Sequence, residues 1–223
     1  MRDTIPEPPT ESLSPLATAT TEVITQYAYD ITAAIDAIDD AIPGFGGLFD
    51  PGTTMSERRT AIDTVLETTT DMEASHRSQL TDRDVEKLIL YTDGSSRGNP
   101  GPAGAGAVVE TPDETVLCRV GRPVGSRAGN NTAEYAALHL GLACVLTRYG
   151  VSPLEIRIDS MTVIGDIWQD ATREEFTNYR RVINTLLAEF PDHHWTHVAD
   201  AERNPADALA TVSADIAGLG PGA

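Results

Sequence analysis

Four acidic residues stand where backbone geometry can bring carboxylates together. Asp93 follows an apolar run in LILYTDGSS, and Asp159 follows another in LEIRIDS. Glu134 and Asp207 each lie near the start of a helical stretch, in NNTAEYAAL and RNPADALA. Carboxylates clustered without a basic partner raise one another's pKa, so such a cluster persists only if something neutralises it. A divalent cation does this. Mg2+ takes hard oxygen ligands and is held by a few carboxylates, waters and substrate phosphate. Two such ions about 4 Å apart can activate a water and stabilise the leaving oxygen in phosphodiester cleavage. Singly, each acid has an ordinary role. Asp93 is a turn residue in D-G-S, Glu134 follows Asn131 by three as in a capping box, and Asp159 can cap a following helix. Asp207 follows Asn204 by three, with Pro205 at the first helical position. Only the four together, in this order and at these places, point to a reaction centre.

The elements that must position them alternate between strand and helix from residue 86 onward. Strands are expected at 87–92, 106–110 and 115–120, joined by Gly- and Pro-bearing connections as an antiparallel meander. A helix follows at 132–149, then a strand at 154–159, helices at 160–169 and 174–189, a strand at 194–198, and a closing helix at 204–216. In this order Asp93 and Asp159 end the first and fourth strands. If those strands are neighbours, both acids reach the same end of the sheet, and two helix N-termini deliver Glu134 and Asp207 there.

The remainder of the chain is different in character. Residues 1–85 read as an acidic helical region whose first eleven or so residues are Pro- and Thr-rich and expected to be disordered. Val23, Tyr27, Ile31, Ile35, Ile38 and Ile42 form one apolar stripe over a helix at 15–42. The run PGFGGLFDPG breaks it, and a second helix is expected at 56–80, capped by Ser56, with Ile62, Val65, Leu66 and Met72 on its buried face. A helical hairpin this small buries little surface alone. It is expected to pack on the second domain, on its own copy in a homodimer, or on a partner protein. Residues 218–223 read as a flexible tail.

Composition narrows the class. The chain of 223 residues carries 34 acids against 16 Lys and Arg, a net charge of −18, and Lys87 is the lone lysine. Residues 1–86 hold 17 acids and 5 bases, and residues 87–223 hold 17 acids and 11 bases, so the second part is the less hostile to a polyanion. Acidity alone argues against nucleic acid as a partner, because phosphate binding relies on Lys and Arg. Molar salt removes the conflict by shortening the Debye length to about 3 Å. No apolar stretch is long enough for a membrane span, and the N-terminus lacks the basic start and apolar run of a signal peptide, so a cytoplasmic location is expected. Cys118 and Cys144 form no CxxC pair and read as small buried hydrophobes in a reducing compartment, with neither a zinc site nor a disulfide framework expected.

Over residues 86–217 the motifs resemble the type 1 ribonuclease H family. The resemblance is carried by Asp93-Gly94-Ser95 with Gly98-Asn99-Pro100-Gly101-Pro102-Ala103-Gly104, by Asn130 through Leu138, by Asp159-Ser160, and by the ADALA of 206–210. It implies an α/β fold with a five-stranded mixed sheet flanked by helices, to which the N-terminal helical hairpin is added. It also implies catalytic and metal-binding roles for Asp93, Glu134, Asp159 and Asp207, with Gly94 at the metal, and Mg2+ or Mn2+ as cofactor, two ions being expected with substrate. The implied reaction is endonucleolytic cleavage of the RNA strand of RNA–DNA hybrids, leaving 5′-phosphate and 3′-hydroxyl ends. Ser95, Asn99, Asn130, Asn131 and Arg127 match substrate-contacting positions; amides suit a 2′-hydroxyl, which both donates and accepts. The alternative is a non-catalytic nucleic-acid-binding or scaffolding protein on the same fold, against which the presence of all four acids speaks. A third reading, an exonuclease of the wider superfamily, fits the GNPGPAG loop poorly.

The chain departs from the family pattern in places. The basic, Trp-rich protrusion of the bacterial form is missing, since the segment after Gln169 holds only Arg173, Arg180 and Arg181. The family's mobile histidine is absent from VADAERNPAD, where Glu202 or Arg203 is the available substitute. Gly129 and Met161 stand where the family often has a phosphate-binding threonine and a polar contact, and His193, His194 and His197 read as strand or surface residues. The acidity and scarcity of lysine resemble the proteins of salt-loving archaea, which implies function in concentrated salt.

Overall fold

The computed structural model describes residues 11–69, 87–168, 173–190, 192–199 and 202–220. The run Leu88-Ile89-Leu90-Tyr91 is apolar without alternation, the mark of a strand buried on both faces. It opens β1 (Leu88–Ser96), the centre of a five-stranded sheet with β2 (Gly101–Glu110), β3 (Val116–Ala128), β4 (Leu154–Ile158) and β5 (His193–His197). The strand order is β3-β2-β1-β4-β5. The pairs β1–β2 and β2–β3 are antiparallel, and β1–β4 and β4–β5 are parallel.

Each sheet face has its own core. On one, Leu88, Leu90, Leu154 and Ile156 pack under α4 (Asn130–Arg148) and α6 (Thr177–Leu187), with α5 (Met161–Trp168) and a 3-10 turn at Glu174–Phe176 between them. On the other, Ile89, Tyr91 and Val108 meet Leu209 and Ile216 of α7 (Asp207–Ala217). That second core is shared with the N-terminal helices α1 (Pro15–Gln26), α2 (Ile31–Ala41) and α3 (Met55–Thr69), through Val23, Ile31, Ile38 and Ile62. The result is a three-layer α/β/α arrangement.

Several expectations need correction. Three N-terminal helices replace the two-helix hairpin. The stripe from Tyr27 to Ile31 keeps a helical spacing, but Ala28 and Tyr29 adopt positive φ and Asp30 caps a new helix by accepting from the Ala33 N–H. The break is used: the Tyr29 carbonyl accepts from the Gly121 N–H on β3, which docks the helices on the sheet. Thr54, not Ser56, caps α3, through a reciprocal pair in which Thr54 Oγ1 accepts from the Glu57 N–H and Glu57 accepts from the Thr54 N–H. The second helix beyond Thr69, with Met72, lies outside the described residues, as does the expected disorder of residues 1–10.

The first three strands run further than propensity suggests. β1 continues to Ser96, so Asp93 lies inside it, and β2 starts at Gly101. Glycine weakens a strand, but here its lack of a Cβ admits the helices packed above. The α4 helix begins at Asn130 with Gly129 as an N-cap that offers no side chain, so no capping box forms at Asn131 and Glu134 falls in the second turn. The α7 helix begins at Asp207. Asn204 instead closes a tight turn, its Oδ1 accepting from the Ala206 N–H. Among the described residues no helix is long and apolar enough to cross a membrane.

Candidate active site

Parallel pairing of β1 and β4 sets Tyr91 level with Arg157. Asp93 and Asp159, each two residues further on, therefore lie side by side at one end of the sheet. Glu134 reaches them from α4 because Gly94 stands in the way with no side chain. A Cβ on Gly94 would lie 2.3 Å from the Glu134 backbone nitrogen. The Gly94 N–H and the Asn130 side chain both donate to the Glu134 carboxylate. The outcome is that one oxygen each of Asp93, Glu134 and Asp159 lies within 4.8 Å of the other two.

Asp207 approaches from the opposite face. Asp93 pairs with Gly106, where a Cβ would lie 2.5 Å from the Ala206 carbonyl and 2.6 Å from the Ala210 nitrogen. The first turn of α7 thus rests directly on β2. Asp207, its first residue, is exposed and stands outside the three-carboxylate group, yet its charge acts on Asp93.

The electrostatics are those of an unneutralised cluster. Asp93, 7% exposed, is pushed up to about 7 by burial first, then by the charges of Asp159 and Asp207. Glu134, 4% exposed, is raised well above the usual carboxylate range by burial, then by Asp159 and Asp93. Its Oε2 is buried and has no hydrogen-bond donor among the described residues. Three convergent hard oxygen donors, one of them an orphaned buried acceptor, fit a divalent cation.

The expected substrate contacts divide. Asn99 and Asn131 line an open groove with Gly129, Thr132 and Asn178, and Asn99 Oδ1 accepts from the Asn130 N–H. The Asn130 side chain is directed to Glu134 instead. Ser95 is half-buried on β1, and Arg127 is exposed near the end of β3; neither lines that groove. Gly94 is at the cluster, with its N–H given to Glu134. Arg203 lies 3.7 Å from the Glu110 carboxylate, and Met161 is exposed beside Asp159.

One residue was missed. Asn204 Nδ2 donates to the Thr92 carbonyl at 3.1 Å and to Asp93 Oδ1 at 3.3 Å, tying the loop before α7 to the acid. Its position at the head of N-P-A-D reads as a cap, so the sequence carries no sign of this. His197 Nε2 lies 3.1 Å from the Asp159 carbonyl oxygen, while His193 and His194 turn to the Phe190 carbonyl and to Glu155. Only the β4–β5 register places His197 there.

A mixed sheet of this order, with carboxylates gathered on its central strands, defines a ribonuclease H-like fold. The profile of the reverse transcriptase-like family matches residues 91–213. The ribonuclease HI of Halobacterium salinarum is 38% identical over 134 residues, covering 59% of this chain and 66% of that protein. The solved ribonuclease H1 from the same organism superposes with a TM-score of 0.54 at 36% identity, over 58% of this chain and 98% of that one. The bifunctional protein Rv2228c of Mycobacterium tuberculosis is 33% identical over 134 residues, covering 59% of this chain and 36% of that protein. Its N-terminal RNase H domain superposes with a TM-score of 0.55 at 34% identity, over 59% of this chain and 95% of that one. LC11-RNase H1, isolated from compost and solved with an RNA/DNA hybrid, gives 0.53 at 26% identity, over 57% of this chain and 96% of that one. The chain belongs to the reverse transcriptase-like family, as a ribonuclease H-type member. It spans about two thirds of the Halobacterium protein and about a third of the mycobacterial one. Divalent metal is general in this family, and the acidic cluster is in place here.

Proposed function

We propose that the protein is a cytoplasmic endoribonuclease that hydrolyses the RNA strand of RNA–DNA hybrids. The observation that carries this reading is the convergence of Asp93, Glu134 and Asp159, joined to the likeness to LC11-RNase H1, which was solved with such a hybrid. Asp93, Glu134 and Asp159 would hold Mg2+ or Mn2+, with Asp207 and the Gly94 backbone completing the set. A bound divalent cation would supply Lewis-acid activation of a water and charge stabilisation at the leaving oxygen. The chain's own residues do the positioning. Gly94 and Asn130 orient Glu134, Asn204 orients Asp93, and Asn99 and Asn131 face the groove where the 2′-hydroxyls of an RNA strand are read.

The test is cleavage of an internally labelled hybrid with Mg2+ and with Mn2+, from dilute to molar KCl, beside Asp93→Asn. Internal RNA cuts that need metal and vanish in the variant are expected. A folded protein that binds the hybrid and never cuts it would instead make the chain a binding module on a nuclease fold.

A further inference from the structure

Cys118 and Cys144 are separated by 26 positions, yet their Sγ atoms lie 3.1 Å apart. Cys118 is on β3 and Cys144 on α4, and both are buried free thiols. Neither belongs to the carboxylate site. The sulfurs need to close by only about 1 Å to reach bonding distance. Their surroundings are asymmetric. The Cys118 thiol is drawn down to about 7, chiefly by the hydrogen bond from Cys144, with help from the Arg148 guanidinium and the Tyr149 hydroxyl against burial. The Cys144 thiol is pushed well up by the same pairing and by burial. Arg148 is itself held in place, donating to the Ala28 carbonyl between α1 and α2. β3 is also an edge strand of the sheet, and local opening of an edge gives a small oxidant access that a central strand denies.

We propose that Cys118 and Cys144 form a peroxide-oxidisable dithiol that closes to an intramolecular disulfide between β3 and α4. Cys118, as thiolate, attacks one peroxide oxygen; the O–O bond breaks, the departing hydroxide takes a proton and leaves as water, and Cys118 becomes a sulfenic acid. The Cys144 sulfur then attacks the Cys118 sulfur, the S–O bond breaks, and a second water leaves with the Cys144 proton. Two thiols lose two electrons, and hydrogen peroxide is reduced to two waters. The bond staples α4, which carries Glu134, to the edge of the sheet.

The experiment treats the full chain in molar KCl with hydrogen peroxide, then denatures it, alkylates free thiols and weighs it. The expected result is a monomer lighter by two hydrogens that takes up no alkylating agent. A single peptide should link residues 118 and 144. Tm should rise by roughly 5–10 °C, reversed by a thiol reductant. Cys118→Ala and Cys144→Ala should each fold, as judged by circular dichroism, and each should lose the Tm rise. Two thiols that remain open to alkylation after peroxide would overturn the proposal. So would oxygen added to either cysteine without a link, or links formed only between chains.

Discussion

Replacing Asp93 with Asn should make the metal-free protein more stable while destroying its activity. The folded state raises Asp93 from 3.8 to about 7. Each unit corresponds to about 1.4 kcal/mol, so holding this carboxylate ionised in the fold costs up to about 4 kcal/mol. The sign follows from proton uptake. An acid with a raised pKa keeps its proton in the folded state after the unfolded state has released it. Stability therefore falls as pH rises from about 4 to about 7, and is level above. Asn keeps the shape and the oxygen that accepts from Asn204 Nδ2, and removes the charge. Burial, the largest cause, is unaffected by salt, whereas the parts from Asp159 and Asp207 are partly screened. In molar KCl with chelator, at about pH 8, Asp93→Asn should exceed wild type by about 2–4 kcal/mol in denaturant unfolding, and the two should converge near pH 4. Added Mg2+ should then stabilise wild type more than the variant. A variant no more stable than wild type at about pH 8 would show that Asp93 carries no such penalty, and the cluster would lose its electrostatic case as a cation site.

Gly94→Ala should both destabilise, by about 1–3 kcal/mol, and inactivate, because the new Cβ meets α4 backbone that must shift Glu134; metal titration and denaturation together would show it. Asn204→Ala should lower kcat more than it raises KM, since it frees the loop before α7 from Thr92 and Asp93 while leaving the groove intact; steady-state kinetics on a hybrid would separate the two constants. Glu11 lines the groove beside Asn99, Asn131 and Tyr179, so Glu11→Gln should lower KM for a hybrid, an effect that weakens as KCl rises. Ile31, buried against Gly121 of β3, ties the N-terminal helices to the sheet; Ile31→Ala should cost about 2–3 kcal/mol within a single cooperative transition, and two separate transitions would mean that the helices unfold on their own.

The four acids could be singled out because each follows an apolar run or lies near an expected helix start, and the structure brings three of them, Asp93, Glu134 and Asp159, together. Asp93 and Asp159 needed only the guess that strands one and four are neighbours, which the parallel register bears out. What stayed hidden depends on contacts between distant segments. Residues 101–105 look like a glycine loop, yet form strand, and β2 packs so closely on α7 that side chains at Gly104 and Gly106 would meet its backbone. The α1–α2 break is invisible to periodicity because Tyr27 and Ile31 keep their spacing across it. Asn204 is read as a cap by its neighbours in sequence and as a ligand of β1 only by its neighbours in space. The approach of Cys118 to Cys144 follows from how α4 crosses the edge of the sheet.

A chain of net charge −18 that takes a polyanion must do so without a broad positive surface, and several of its bases are given to its own acids. Lys87 and Arg157 are both given to Glu155, Arg97 to Asp215, and Arg59 to Asp63. On the proposed reading the groove would rely on neutral donors instead, the amides of Asn99 and Asn131 and the start of α4, where Gly129 offers no capping side chain. A helix N-terminus of this kind favours a phosphate. On the same reading, a cation held by Asp93, Glu134 and Asp159 would supply positive charge that the surface lacks. Amide contacts and metal coordination act at contact distance, where screening is weak, while the repulsion between the acidic surface and the substrate acts over many ångströms and is removed by molar salt. A binding mode built in this way gains from concentrated salt, where one built on counterion release from a lysine-rich surface loses.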